Sequence, residues 1–274
     1  MYPLKGAAGF DLRESGLDET GISGDRRWML ARPDGAFISQ RTHPRLCLVR
    51  TSPAHGGDGG GSFSLSAPGM GVFTISPLPT ASWMEVQVHK DRFRASVGDD
   101  EADRWFSDLL GEPCRLVFLP SETCRPCDRE WAPGHRVSLA DGYPLHLTTV
   151  ESLRDLNRVL PQDTEMLRYR PNLVVEGGEP WDEDEWRVLE TGGITLRLVK
   201  PCARCRVTTV NQGTAETGQE PLRGLATFRE WQGKVYFGQN AVFEGDGRFR
   251  VGEDVRILEK GTRRPPIPPG SSAA

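Results

Sequence analysis

The chain lacks several things that would have fixed its class at once. No window approaches the roughly 18–20 consecutive apolar residues of a membrane span, and mean hydropathy is −0.47. The first ten residues, MYPLKGAAGF, contain one lysine and no apolar core, which excludes a secretory signal of the usual kind. Basic residues are not in excess: 34 Lys and Arg stand against 38 Asp and Glu, for a net charge of −4. No basic stripe is present, so binding nucleic acid by bulk electrostatics is not expected, although a local anion site remains allowed. The five histidines are scattered without metal-ligand spacing. No Ser/His/Asp or Cys/His nucleophile arrangement is present. These absences predict a soluble, cytoplasmic protein with no membrane and no nucleic-acid partner, whose six cysteines are reduced thiols rather than a disulfide frame.

Turn residues, by contrast, are plentiful. The chain has 31 glycines and 21 prolines, with Val, Ile, Thr and Phe in short runs between them. That texture predicts a mainly β protein with a few helices. Two apolar runs flank Pro33-Asp34-Gly35, a turn in which proline presets φ and glycine tolerates φ > 0. AHGGDGGGS at 54–62 reads as a flexible loop. DDEADRWFSDLLG reads as a helix with acids in its first turn and Gly111 as its stop. Thr148 and Glu151 form a capping-box pattern ahead of an apolar helix face at Val150, Leu153, Leu156 and Leu160. Gly192-Gly193 between alternating runs predicts a β-hairpin. QEPLRGLATFREWQGK reads as a helix opening near Pro221 and closing near Gly233. PWDEDEW at 180–186 reads as an acidic, solvated loop anchored by its tryptophans.

The cysteines pose the chemical question. CRPC at 124–127 and CARC at 202–205 invite a Cys₄ zinc site, but residues 128–201 separate the pairs, far more than the roughly 12–20 of zinc ribbons and fingers. A redox dithiol needs C-x-x-C opening a helix, and CARC is followed by the β-branched, strand-like RVTTV. Cys47, Cys114 and Cys202 read as structural thiols, and CRPC stays unassigned. Cys205 lies beyond the hairpin strand between Arg204 and Arg206, whose charges favour thiolate, a good ligand for a thiophilic metal. Spacing alone does not name the metal.

An ordered set of segments does more. YPLKG at the N-terminus, GDRRWML, ADGYPLHL, RYRPNLVVEG, PWDEDEW, CARCRVTTVNQGTAETGQEPL and FGQNAVFE together resemble the MOSC-domain family with its N-terminal β-barrel extension, the group that includes the mitochondrial amidoxime-reducing component and its bacterial counterparts. The likeness runs from about residue 2 to about residue 258. It implies an N-terminal MOSC β-barrel domain over 1–118 and a β-barrel MOSC domain over 119–258; the proline-rich, polar composition of 259–274 predicts a disordered tail. It also implies a molybdenum cofactor, molybdenum held by the dithiolene of a phosphorylated pterin (molybdopterin) and by one protein cysteine. In the family pattern that ligand and catalytic residue is the second cysteine of C-x-R-C, here Cys205.

By the same resemblance Lys5, Gly6 and Arg26 meet the anionic end of the cofactor. Arg170 and Asn172 of RPN meet its pterin, and Asp141, Gly142, Tyr143, Ala203, Arg204 and Asn240 line the pocket. A doubly charged phosphate suits a lysine point charge and a planar guanidinium fork. Four positions depart from the pattern: Gly6 replaces a serine, Gly142-Tyr143 replace a threonine-serine pair, and Asn240 replaces an aromatic. The implied activity is reduction of small N-hydroxylated compounds (amidoximes, hydroxylamines, N-hydroxylated bases). Because no ferredoxin-like domain with an iron–sulfur motif follows, the electrons are expected from a separate ferredoxin, flavoprotein reductase or cytochrome b5-type protein. The alternative the family allows is a cofactor carrier or sulfur-transfer module without turnover.

Overall fold

The computed structural model describes residues 1–54, 62–76, 82–98 and 100–267. The mainly β expectation holds. The N-terminal half is built on strands β1 (Trp28–Ala31), β2 (Arg50–Pro53), β3 (Phe63–Ser66), β4 (Phe73–Ile75), β5 (Trp83–Val88), β6 (Asp91–Val97) and β7 (Arg115–Phe118), with helix α1 (Asp100–Leu110) between the last two. One antiparallel sheet runs β1-β7-β6-β5 and a second runs β2-β3-β4. Side chains alternate between faces of a strand, and in β1 both faces are covered. Trp28 and Leu30 enter a core with Phe63, Leu65 and Phe106, whereas Met29 and Ala31 enter another with Val86, Val88 and Leu139. This is why WMLA is apolar throughout instead of alternating. The Pro33–Gly35 turn forms as read, with Gly35 at φ +86° and its N–H donating to Arg32 O.

The C-terminal half centres on a sheet ordered β9-β8-β12-β11-β10-β13, where β8 is Leu145–Thr149, β9 Leu173–Val175, β10 Trp186–Thr191, β11 Ile194–Ala203, β12 Lys234–Glu244 and β13 Arg256–Lys260. β8 and β9 are parallel, joined over helix α2 (Val150–Val159). The β10–β11 hairpin turns on Gly192 and Gly193, both at positive φ, with Thr191 opposite Ile194. Leu145, Leu147, Trp186, Leu189, Leu196 and Ala241 fill the core of this half. Among the described residues no helix is long and apolar enough to cross a membrane.

Several sequence-based expectations need correction. The α2 N-cap is Thr149, whose hydroxyl accepts from Ser152 N at 3.2 Å; Thr148 instead stays in the strand. RVTTV forms a 3₁₀ turn over Arg206–Thr209, because the Thr208 and Thr209 hydroxyls donate to the carbonyls of Cys205 and Arg206 and close the turn locally. The helix after Pro221 is only Leu222–Ala226, and Gly233 lies in the turn into β12. PWDEDEW is not a solvated loop. Glu183 and Asp184 are fully buried. Asp184 pairs with Arg229 at 2.8 Å and with Arg263 at 3.4 Å, and Gln239 donates to it at 2.9 Å. The tail also begins later than expected. Residues 259–260 finish β13, and the segment to Ile267 packs down, with Arg263 donating to Trp181 O and Gln239 to Arg264 O. Residues 55–61 of the glycine-rich stretch and 268–274 of the tail lie outside the described residues.

Candidate functional site

A cleft forms where the first eight residues of the chain meet the β8–β12 end of the C-terminal sheet. The N-terminal segment is fixed by backbone bonds, Arg26 N to Tyr2 O at 2.8 Å and Lys5 N to Trp28 O at 2.8 Å. Eleven of the twelve residues singled out above line this cleft: Lys5, Gly6, Arg26, Asp141, Gly142, Tyr143, Arg170, Asn172, Arg204, Cys205 and Asn240. Ala203 does not; it is the exposed last residue of β11, paired with Tyr236. Gly6 sits at φ +90°, and a Cβ there would come within 3.2 Å of Leu46 Cδ1, so the serine of the family pattern is disfavoured by this backbone.

The electrostatics of the cleft are inverted relative to the acidic chain. Five cations line it (Lys5, Arg26, Arg41, Arg170, Arg204) against one carboxylate, Asp141. Lys5 Nζ reaches Asp141 Oδ1 at 2.5 Å and donates to Leu139 O at 2.8 Å. Asp141 also meets Arg41 at 3.2 Å and His89 at 3.4 Å. Desolvation would raise the Asp141 pKa, but Lys5 and its neighbours outweigh it and hold the carboxyl well below the usual range. Burial lowers Lys5 from its ordinary value, opposed by Asp141.

Arg26 adopts φ +48°, and its guanidinium pairs with buried Asp25 and donates to Asn172 Oδ1 at 3.1 Å and to Arg170 O at 2.9 Å. Arg26 and Arg170 both pack on the Tyr2 ring, at 4.4 and 4.3 Å from its centroid. Burial, then Arg26, pushes the Arg170 pKa down to about 10, so it stays cationic at neutral pH. The Asn172 amide is engaged inside the chain: Oδ1 also accepts from His146 N, and Nδ2 donates to Asp25. It therefore positions Arg26 and offers the cleft little of its own.

Cys205 caps the 3₁₀ turn just past β11, and Arg41 Nη2 lies 3.5 Å from its Sγ. Cys202 is differently placed, its Sγ accepting from Arg204 Nη1 at 2.8 Å while burial raises its pKa. The same Arg204 holds Tyr169 O at 2.9 Å and approaches His146 Nε2 at 3.3 Å. Burial, then Arg204, drives the His146 pKa well below its ordinary value, so the imidazole is neutral. Sequence reasoning missed Arg41, Gln40, His146 and Tyr169 as lining residues. Arg41 lies in a stretch without a motif, and a lone histidine in an apolar strand gives no signal of its own.

The fit to an anionic, acceptor-rich ligand can be tested on the donors. Arg170 Nη2, Arg204 Nε and the Tyr143 hydroxyl are buried without a partner among the described residues, and all three belong to the cleft. An unpaired buried donor costs about 1–3 kcal/mol, and a phosphorylated pterin carries the acceptors and charge that would offset it. Among the described residues no group of three His, Cys, Asp or Glu stands together to hold a metal. A metal here needs ligands from a cofactor, and of the two half-buried thiols in the cleft Cys205 is the one not taken by Arg204. A wider hollow beside α1 carries no comparable chemistry, since its Asp103 and Arg115 pair with each other at 2.7 Å.

Residues 1–113 match the MOSC N-terminal beta barrel domain and residues 134–256 the MOSC domain. The chain belongs to the MOSC-domain family. It is 30% identical to the mitochondrial amidoxime reducing component 2 of Rattus norvegicus, covering 93% of this chain and 80% of that protein. It is 28% identical to the mitochondrial amidoxime-reducing component 1 of Homo sapiens, covering 94% of this chain and 81% of that one. The molybdenum cofactor sulfurase of Solanum lycopersicum is 28% identical over 93% of this chain, which spans only 35% of that longer protein. The cleft thus lies between the MOSC N-terminal domain, which supplies Lys5, Arg26 and Arg41, and the MOSC domain, which supplies Arg170, Arg204 and Cys205.

Proposed function

We propose that this cleft holds the molybdenum cofactor with Cys205 as the protein thiolate on the metal, and that the protein reduces N-hydroxylated compounds with electrons from a separate donor protein. The observation that carries the reading is the convergence of five cations, three unpartnered buried donors and the Cys205 thiol on one cleft. Likeness to the amidoxime-reducing components along most of the chain supports the reductase assignment. The six free cysteines support a reducing, cytoplasmic setting.

In this reading Lys5 and Arg26 bind the anionic end of the cofactor, and Asp25, Asn172 and Tyr2 hold Arg26 in place. Arg170 and Arg204 present their free donors to the pterin. When bound, the cofactor supplies the two-electron redox centre at which the N–O bond is cleaved. The reaction takes two electrons and two protons, and gives the parent N–H compound and water. The polypeptide shapes the cleft and fixes the thiolate by the Cys205-capped turn.

The test is direct. Protein from a molybdenum-replete host should carry molybdenum and pterin and reduce benzamidoxime with an artificial donor. Cys205→Ala should lose both metal and turnover, and Cys202→Ala much less of either. Unchanged activity in Cys205→Ala would overturn the ligand assignment. The likeness to the sulfurases favours one competing reading, a cofactor carrier or sulfur-transfer module. Bound cofactor without turnover under any donor, together with a cysteine persulfide in the mass spectrum, would establish it instead.

A further inference from the structure

The CRPC motif has no part in the reading so far, yet its arginine is one of the most deeply buried charges in the protein. The Arg125 side chain is 2% exposed, and all of its guanidinium nitrogens are engaged. Nη1 donates to Ser138 O at 2.8 Å and to Ala140 O at 2.5 Å, and Nη2 donates to Asp141 O at 3.1 Å. Nε and Nη2 both reach Asp91 Oδ2, at 3.1 and 2.9 Å, which compensates the buried charge. Lys5 takes the remaining carbonyl of this run, Leu139 O. Four consecutive carbonyls, 138 to 141, are therefore held by two cations.

The backbone around the motif is pinned as well. Cys127 N donates to His135 O and Val137 N to Arg125 O, both at 2.9 Å. These bonds tie the CRPC loop to the strand-like run entering the loop that brings Asp141, Gly142 and Tyr143 to the cleft. The cysteines themselves carry no comparable chemistry: Cys124 is exposed, and burial pushes the Cys127 thiol up to about 12.

We propose that Arg125 is a positioning residue that sets the 138–143 loop in the form the cofactor requires, and that CRPC is placed in the chain for its arginine. The proposal deepens the cofactor reading and rests on it. A planar fork with five donors spans three carbonyls and a carboxylate, which a lysine point charge cannot do. Arg125→Lys keeps the charge opposite Asp91 and loses the fork, so it separates the two roles.

Two measurements test it. Hydrogen exchange on the cofactor-free protein should be at least 10-fold faster at the amides of 139–143 in Arg125→Lys, out of proportion to any fall in the apo melting temperature, with exchange in β8 close to wild type. Protein loaded with the molybdenum cofactor should release it at least 10-fold faster than wild type. A residue that merely stabilised the fold would lower the apo melting temperature and leave loop exchange and cofactor release in proportion to it. Wild-type loop exchange in Arg125→Lys overturns the proposal. If wild-type protein proved to bind no molybdenum cofactor, the functional reading would fall, and the exchange measurement would still decide what Arg125 does to the loop.

Discussion

Replacing Glu183 by glutamine should make the protein more stable, and increasingly so as pH rises. Glu183 is fully buried; its Oε2 accepts from Ser152 and Thr149 hydroxyls at 2.8 and 3.2 Å, while Oε1 has no partner. Burial first, and the neighbouring Asp184 second, raise its pKa from 4.5 to about 7. A carboxyl whose folded pKa lies above its unfolded one binds more protons in the folded state, so stability is full below about pH 4.5 and declines as pH climbs to about 7. Each pH unit across that window is worth about 1.4 kcal/mol, so the ionised carboxylate costs the fold about 3 kcal/mol at most. Sharing of protons with Asp184 reduces what one substitution recovers, and about 2 kcal/mol is expected at pH 8. Glutamine mimics the neutral acid and keeps an oxygen for the two hydroxyls. Urea unfolding at pH 5, 6, 7 and 8 reads the effect as the difference between Glu183→Gln and wild type. That difference should be small at pH 5 and grow with pH. A difference independent of pH, or one that shrinks as pH rises, would refute the reasoning.

Two further outcomes follow from the same packing. Arg229→Ala strands buried Asp184 with only Arg263 and Gln239, and should cost about 3 kcal/mol of unfolding free energy in the same assay, as breaking a buried pair typically does. Thr149→Ala removes the α2 cap and should cost about 1–2 kcal/mol, more than Thr148→Ala, whose hydroxyl meets Met166 Sδ. The opposite order would return the cap to the position read from the sequence.

The fold was legible where one local rule governs. Gly192-Gly193 demands a two-residue hairpin, and Gly111 at φ +72° ends α1 as read. Lys5, Arg26, Arg204 and Cys205 were readable through the family motifs, since a motif preserves which residues converge even when they lie far apart in sequence. Three features were hidden. Glu183 and Asp184 look like a solvated charge run, and their burial depends on Arg229, Arg263 and Gln239, all distant in the chain. RVTTV looks like a strand because it is β-branched, whereas its threonine hydroxyls bond to the carbonyls three residues back and close a turn. Arg125 gave no signal because three of its partners are main-chain carbonyls, which any sequence would supply, and the fourth, Asp91, is distant in the chain.

The most direct test of the central claim is X-ray absorption at the molybdenum edge, comparing wild-type protein with Cys205→Ser loaded with the same cofactor. The account predicts one sulfur fewer around the metal in the variant. An unchanged sulfur shell would contradict it, and the chemistry assigned to this cleft would have to be drawn without that thiolate.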